Sequence, residues 1–456
     1  MIDESTDLTV QKYLSVCVRY VQNGVANTKF LTNVNIEDGK AHTIVNELIS
    51  CLVKFGLDPT KRVSLATDGA STMIGKKLAL IHCIAHRLNL AVSDSIKKDA
   101  VLENFRDKFN SLYYFFSSSS NRTYKLKCIQ DLLRQPNLSI KEPHSIRWLG
   151  LKNAVEAVYE SYNSVLETLS FFAAKKNSTA KGLLKCFPDF KTVLLVAFML
   201  DIHQEVGELS KALQAKDMLF SEIEPLMEST LEKLNFLESK DGAGMKDMRA
   251  CIQIKEEESE KVAYLNEKKL DRYMEGIEGE LISLRGRYVC NLRENIKKRI
   301  KREDGEIFRD FSRVCEPCTD NTVDDSECND AVNALGVLYG EDKIVKIVHG
   351  GTDDAEEETK EVSKILDKSK LIQQWPKLRD MMKGSCRELS AQELCKKVIC
   401  HYSDKGLSEF SKLCEIALCM TVISVECERS FSTQNRIKNK YRSSLKTENL
   451  DVFIAV

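Results

Sequence analysis

Leu14-Ser15-Val16-Cys17-Val18-Arg19-Tyr20-Val21-Gln22-Asn23-Gly24 decides how the chain begins. Leu14, Val16, Val18 and Tyr20 alternate with Ser15, Cys17 and Arg19, the two-residue period of a β-strand. Asn23-Gly24 is a strong hairpin signal, because both residues tolerate the positive φ of a type I′ turn. Val25 to Ile36 is then the returning strand. Downstream the period changes. Ile44, Val45, Leu48, Ile49, Leu52 and Val53 share one face of a helix over Ala41 to Phe55, closed by Gly56. Val63-Ser64-Leu65-Ala66-Thr67 reads as a short strand ending at Asp68-Gly69, and a further strand is expected around Ile2. The first 100 residues are thus α/β.

From about residue 84 to 310 the texture is almost wholly helical, with stripes such as Ala91, Val92 and Ile96. Polar breaks fall at Ser117 to Asn121 and at Lys240 to Gly244. Asp353 to Glu361, after Gly350-Gly351, reads as an acidic, solvated connector, and Leu394 to Val456 returns to helix. The domain boundaries expected from these changes are 1–150, 151–390 with the acidic loop near 350–361, and 391–456.

Composition narrows the function. The 456 residues carry a net charge of −1, so any nucleic-acid surface is a local patch. Seven prolines and 20 glycines argue against collagen-like or long disordered stretches. The longest apolar run, Val193 to Leu200, is far shorter than the ~20 residues of a membrane span, so no membrane partner is expected. Met1-Ile2-Asp3-Glu4 does not read as a secretory signal, and the 16 cysteines are expected as reduced thiols.

Asp3 and Asp68 stand where strands meet loops. Such carboxylates can converge across a sheet and supply oxygen ligands for Mg²⁺ or Mn²⁺, although strand-end aspartates are more often turn formers. Cys83 and His86 have Cys-x-x-His spacing but no matching pair nearby, so zinc is not expected. Cys315-Glu316-Pro317-Cys318, with Cys328 ten residues on, reads as loop cysteines. Trp148 is equally a core tryptophan opening a helix or an exposed stacking platform, and Trp375 is read as core. Two basic clusters stand out. Lys297, Lys298, Arg299, Lys301 and Arg302 form one, a solvated helix side or a nuclear-import patch. In the tail, Arg429, Arg436 and Lys440 fall at helical spacing on one face that could hold phosphates.

Five motifs then occur in order: Asp3-Glu4-Ser5-Thr6-Asp7; Thr67-Asp68-Gly69-Ala70; His82-Cys83-Ile84-Ala85-His86-Arg87-Leu88-Asn89-Leu90; Arg147-Trp148; and Cys427-Glu428-Arg429-Ser430-Phe431-Ser432, continuing through Ile437-Lys438 and Arg442-Ser443-Ser444-Leu445. The ordered set resembles the hAT superfamily of DNA transposases. The resemblance implies an α/β ribonuclease-H-like core interrupted by a large all-α insertion, in a chain that is helix-rich overall. It implies an acidic triad of Asp3, Asp68 and Glu428 holding Mg²⁺ or Mn²⁺. Glu428 is preferred to Glu426 because Arg-Ser-Phe-Ser follows it. It also implies Trp148, beside Arg147, stacking on an extruded base; Cys83 and His86 as a structural or DNA-contacting element near the site; and Arg429, Arg436 and Lys440 on DNA. A homodimer or higher oligomer through the C-terminal helices is implied, with apolar faces made from Leu413, Ile416, Met420, Val422 and Phe431 plus Leu450, Phe453 and Ile454. No small-molecule cofactor is implied, and the location is the nucleus, with the cytoplasm as alternative.

The sequence departs from the family pattern in three places. Only two residues precede Asp3, so a clipped first strand and a loosely held Asp3 are expected, without a preceding zinc-finger module. Gly75 to Ile81 is short, and Thr421-Val422-Ile423 lacks the usual proline. The favoured reading is a domesticated or decaying transposase-derived protein that keeps the fold for nucleic-acid binding and self-dimerisation, without full transposition. The alternative is an active metal-dependent transposase.

Overall fold

The computed structural model describes residues 1–6, 11–67, 79–143, 150–215, 218, 220–257, 260–274, 276–300, 304–317, 325–349 and 356–438. The chain forms two compact units. One comprises Met1–Ile84, Gln214–Glu224 and Lys301–Val456; the other comprises Ala85–Leu213 and Pro225–Ile300. The chain changes unit at 84/85, 213/214, 224/225 and 300/301.

The first unit opens with an antiparallel sheet of β1 (Ile2–Thr6), β2 (Lys12–Gln22) and β3 (Val25–Ile36). The predicted turn is present: Asn23 and Gly24 both have positive φ, at 53° and 69°. Along β2 the side chains sort by parity. Leu14 and Val16, with Ile2 and Ile36, form a core with Ile44, Leu48, Cys51 and Leu52 of α1 (Ala41–Lys54). The odd-numbered residues point to the other face. There Tyr13, Ser15 and Cys17 are also buried. They are covered by helices from the far end of the chain, described below.

β4 (Ser64–Thr67) and β5 (Ala79–His82) pair in parallel, from Ser64 opposite Ala79 to Thr67 opposite His82, and β4 lies against β1. The helix α2 (Ile84–Lys97) starts directly after them.

The second unit continues from α2 with α3 (Ala100–Ser117), α4 (Ser120–Leu132), α5 (Gly150–Glu160), α6 (Tyr162–Ala174), α7 (Ser178–Leu183), α8 (Phe190–Leu213), α9 (Phe220–Ser239) and α10 (Ala243–Cys251). Both polar breaks expected from the sequence fall between helices, α3/α4 and α9/α10. The expectation of unbroken helix does not hold at 252–269. There β6 (Ile252–Glu257), β7 (Glu260–Leu265) and β8 (Lys268–Lys269) form a small antiparallel sheet. Asn266 and Glu267 turn the last pair with positive φ, and alternation over Ile252-Gln253-Ile254-Lys255 outweighs the helical propensity of the Lys and Glu residues. The long α11 (Ile277–Ile300) closes the unit.

Helix α8 is the axis of this second core. Every residue from Val193 to Met199 is buried. Asp201 on α8 accepts hydrogen bonds from the amides of Gly244 (2.7 Å) and Met245 (3.0 Å), capping the first turn of α10. A Cβ on Gly242 would stand 2.5 Å from the Asp201 carboxyl carbon, so only glycine fits there.

His203, two residues on, is buried, and burial pushes its imidazole down to about 4, with nearby Lys152 adding to the effect. The folded chain therefore keeps His203 neutral while the unfolded chain protonates it near its ordinary 6.5. Stability contributed by the neutral ring is intact above about pH 6.5 and is lost as pH falls toward 4, on the order of 3 kcal/mol in all. His203→Leu is expected to flatten this part of the profile. Urea midpoints measured between pH 7 and 4.5 check it; parallel curves for the two proteins would show that His203 does not titrate this way.

The chain returns to the first unit with α12 (Asp304–Cys315), α13 (Asp325–Gly340), β9 (Lys343–His349), β10 (Glu356–Val362), α14 (Lys368–Lys383), α15 (Ala391–His401), α16 (Ser408–Cys419) and α17 (Val425–Ile437). Much of the expected acidic connector is the strand β10, paired antiparallel with β9 from Glu356 opposite His349 to Val362 opposite Lys343. The β-branched run Ile344-Val345-Lys346-Ile347-Val348 supplies the strand-forming partner that the acidic segment lacks by itself. Trp375 is core, as read: it is buried, its indole N–H donates to Asn329 Oδ1 at 2.8 Å, and its ring lies 5.8 Å from that of Phe410. Cys315 and Cys328 are not loop cysteines, since Cys315 ends α12, Cys328 lies in α13, and both are buried.

Candidate functional site

The polar face of β2 is where the two ends of the chain meet. Ser430 on α17 gives its hydroxyl proton to the Cys427 carbonyl at 2.6 Å, which leaves Ser15 to donate to Ser430 Oγ, also at 2.6 Å. Asn33 Nδ2 of β3 donates to Gln434 Oε1 at 2.7 Å. Lys438 Nζ donates to the Tyr13 hydroxyl at 3.2 Å, and Arg19 Nε to the Leu418 carbonyl at 2.9 Å. The Cys17 and Cys427 thiols, both free, are in hydrogen-bonding contact. That contact lowers Cys17, whereas Cys427 is pushed well up, first by burial. Helix α17 thus seats on β1, β2 and β3 through a set of matched polar pairs.

This seat fixes the surroundings of Asp3. Its register partner across β1 and β2 is Ser15, so Asp3 shares the face that α17 covers. Asp3 is buried, and its charge helps raise the Cys427 thiol. Its strand is paired along all five residues, so Asp3 is held more firmly than the short lead-in suggested. Glu428, in the first turn of α17, is the neighbour of Cys427 and is part-exposed. Carboxylates in a first helical turn are favoured by the N-terminal end of the helix dipole. The structure therefore brings Asp3 and the helix of Glu428 together. Asp68, Arg147, Trp148 and Lys440 lie outside the described residues, as do Leu450, Phe453 and Ile454.

Arg429 and Arg436 are exposed on α17. Arg429 pairs with Glu426 at 2.5 Å and also donates to the Gln214 carbonyl, while Arg436 donates to Thr433 Oγ1 at 3.3 Å. Helix α17 ends at Ile437, and the third residue of the expected face, Lys440, lies outside the described residues. Cys83 is buried between β5 and α2, its amide donating to the Thr67 carbonyl at 2.8 Å, and His86 is part-buried one turn into α2. Ile84 N donates to the Val422 carbonyl at 3.0 Å. Of the upstream basic cluster, Arg299 is held by Asp94, and Lys297 and Lys298 are exposed.

One expectation is corrected. Leu413, Ile416, Met420, Val422 and Phe431 do not form a free apolar face, for all five are buried within the chain's own core. Apolar side chains at helical spacing mark whichever neighbour the helix has, and here that neighbour is intramolecular.

Two family models match this chain. Residues 1–77 match the ZMYM1/FAM200 RNase-like domain, which spans β1 to β4 and α1. Residues 407–456 match the hAT family C-terminal dimerisation region, which begins at α16. Both matches fall within the first compact unit. An RNase-like domain match at 1–77 and a dimerisation-region match at 407–456 together support a hAT-type transposase-derived protein. The second match also supports self-association. No described helix is long and apolar enough to cross a membrane.

Proposed function

We propose that this chain keeps a ribonuclease-H-like core to bind DNA in the nucleus and to associate with a second copy of itself, without performing full transposition. The core is read as the strand order β3-β2-β1-β4-β5, interrupted in sequence by the helices of the second unit. The lie of β4 against β1 and the parallel β4–β5 pair support this order. The observation that carries the reading is the seating of α17 on the Asp3 face of the sheet, through Ser15–Ser430 and Asn33–Gln434. It joins the RNase-like segment to the dimerisation region and sets exposed Arg429 and Arg436 on the same helix as Glu428.

The second reading is a metal-dependent phosphoryl transferase, favoured by the burial of Asp3 beneath α17. The donor set fits Mg²⁺ or Mn²⁺: Asp3, Asp68 and Glu428 offer only carboxylate oxygens, which suit hard cations. Such ions, when bound, supply an activated water and stabilise charge on a phosphodiester. Within the chain, Asp3 is positioned by its register opposite Ser15, Glu428 is presented by α17, and Arg429 and Arg436 are exposed, so that phosphate oxygens can replace their contacts with Glu426, Gln214 and Thr433.

The test is binding of a labelled DNA duplex by fluorescence anisotropy over a salt series. The double change Arg429→Gln, Arg436→Gln is expected to weaken binding at low salt and to reduce the slope of log K against log salt by about 2, since each phosphate contact contributes roughly 0.9. An unchanged slope removes these residues from the DNA surface. The same samples, incubated with Mn²⁺ and supercoiled plasmid, separate the two readings. The proposed function expects equal traces for the natural chain and Asp68→Asn, whereas nicking lost in the variant establishes the transferase.

A further inference from the structure

We propose that Cys315, Cys395 and Cys414 form a binding site for one thiophilic d¹⁰ cation, Zn²⁺ or Cu⁺. The three residues come from three different helices of the first unit, α12, α15 and α16, each of which packs on the other two. Their sulfur atoms all lie within 4.8 Å of one another. Thiolates sharing one cation at about 2.3 Å stand about 3.8 Å apart, so small side-chain adjustments close the cluster on an ion. All three are at most 2% exposed.

A buried free cysteine is ordinarily a small hydrophobe, and dispersed cysteines such as Cys51 and Cys386 fit that description. Convergence of three sulfurs from separate helices does not follow from packing alone, since any small apolar residue would fill the same volume. The thiols also act on one another: bonds from Cys315 and then Cys414 hold Cys395 well below the ordinary thiol range, while Cys315 and Cys414 are pushed up.

Binding replaces each coordinated S–H by an S–metal bond and releases the proton to solvent, with no change of oxidation state. The two cations answer different demands of the site. Three thiolates leave one net negative charge on Zn²⁺ and two on Cu⁺, so burial favours zinc. Zinc in structural sites takes four ligands, whereas the soft Cu⁺ suits an all-thiolate set, so the count of three favours copper.

The purified, reduced full-length chain is equilibrated with Zn²⁺ alone or Cu⁺ alone, passed through a desalting column, and assayed for metal per chain. One equivalent is expected with at least one of the two ions, and the ion retained identifies the cation. Co²⁺ as a probe is expected to give a thiolate-to-metal charge-transfer absorption. Cys395→Ala and Cys414→Ala should each abolish retention and the absorption, while Cys51→Ala and Cys386→Ala leave both unchanged. X-ray absorption at the metal edge of the unaltered chain needs no variant and is expected to show a sulfur shell at about 2.3 Å. No retained metal in either arm, retention that survives in both cluster variants, or a shell of nitrogen and oxygen alone would overturn the site.

Discussion

A chain ending at residue 406 is expected to be recovered as aggregate, not as a folded monomer. The region matched as a dimerisation element also contributes to the first unit's core. Phe410, Leu413, Ile416, Leu418, Met420 and Val422 are all buried. At roughly 1.5–3 kcal/mol each, these six alone account for about as much free energy as the whole 5–15 kcal/mol that holds a typical domain folded. Deletion also strips the partners from Ser15, Asn33 and Arg19, leaving polar groups facing a sheet that has lost its cover. Soluble yield, far-ultraviolet circular dichroism and light scattering check the outcome. A soluble, cooperatively unfolding monomer would mean that residues 407–456 are an appendage. If the expected result is obtained, loss of dimer in any such truncation reports unfolding and says nothing of an interface.

Arg285→Met is expected to destabilise the second unit by about 3–5 kcal/mol. Arg285 on α11 is buried and serves three acceptors. It donates to the Leu237 and Lys240 carbonyls at 2.9 and 2.6 Å, at the C-terminal end of α9, and to Asp241 Oδ1 at 2.5 Å. Its guanidinium also lies over the Phe198 ring, 5.4 Å from the centroid. Methionine keeps the volume of the stem but leaves carbonyls that α9 cannot satisfy internally. Asp241 retains Arg249 at 2.8 Å, which is itself held by both oxygens of Glu278, so the carboxylate is not stranded and the loss should lie toward the lower end. Burial works to raise Asp241, and its bonds to the two arginines outweigh this and hold it below the usual carboxylate range. Urea unfolding followed by circular dichroism measures the change. A loss below about 1 kcal/mol would mean that the helix end is satisfied by solvent.

The hairpin and the first helix were legible because their signals are local. Asn23-Gly24 fixes two backbone angles, and the apolar stripe from Ile44 to Leu52 has only one good partner in a short α/β segment. The hairpins at 252–269 and 343–362 were not legible, because short strands rich in Lys and Glu look like the outer side of a helix until a partner strand is known. For the site, the motif order indicated Asp3 and Glu428, but no spacing could show that Ser15 is the hinge between them. Only the arrival of Ser430 and Gln434 some 400 residues later explains why Ser15 and Asn33 are there. The three converging thiols were invisible for the same reason, since helices α12, α15 and α16 meet only in the fold.

The bond between Ser15 and Ser430 spans 415 positions, which sets a schedule for biosynthesis. At the usual 5–20 residues per second, the opening hairpin leaves the ribosome roughly 20–80 s before the helix that covers its second side. Throughout that interval Tyr13, Cys17 and their neighbours face water or a chaperone, while the intervening helices have time to settle on their own. Emergence of α17, rather than of the hairpin it covers, is therefore the event that commits the first unit to its native state.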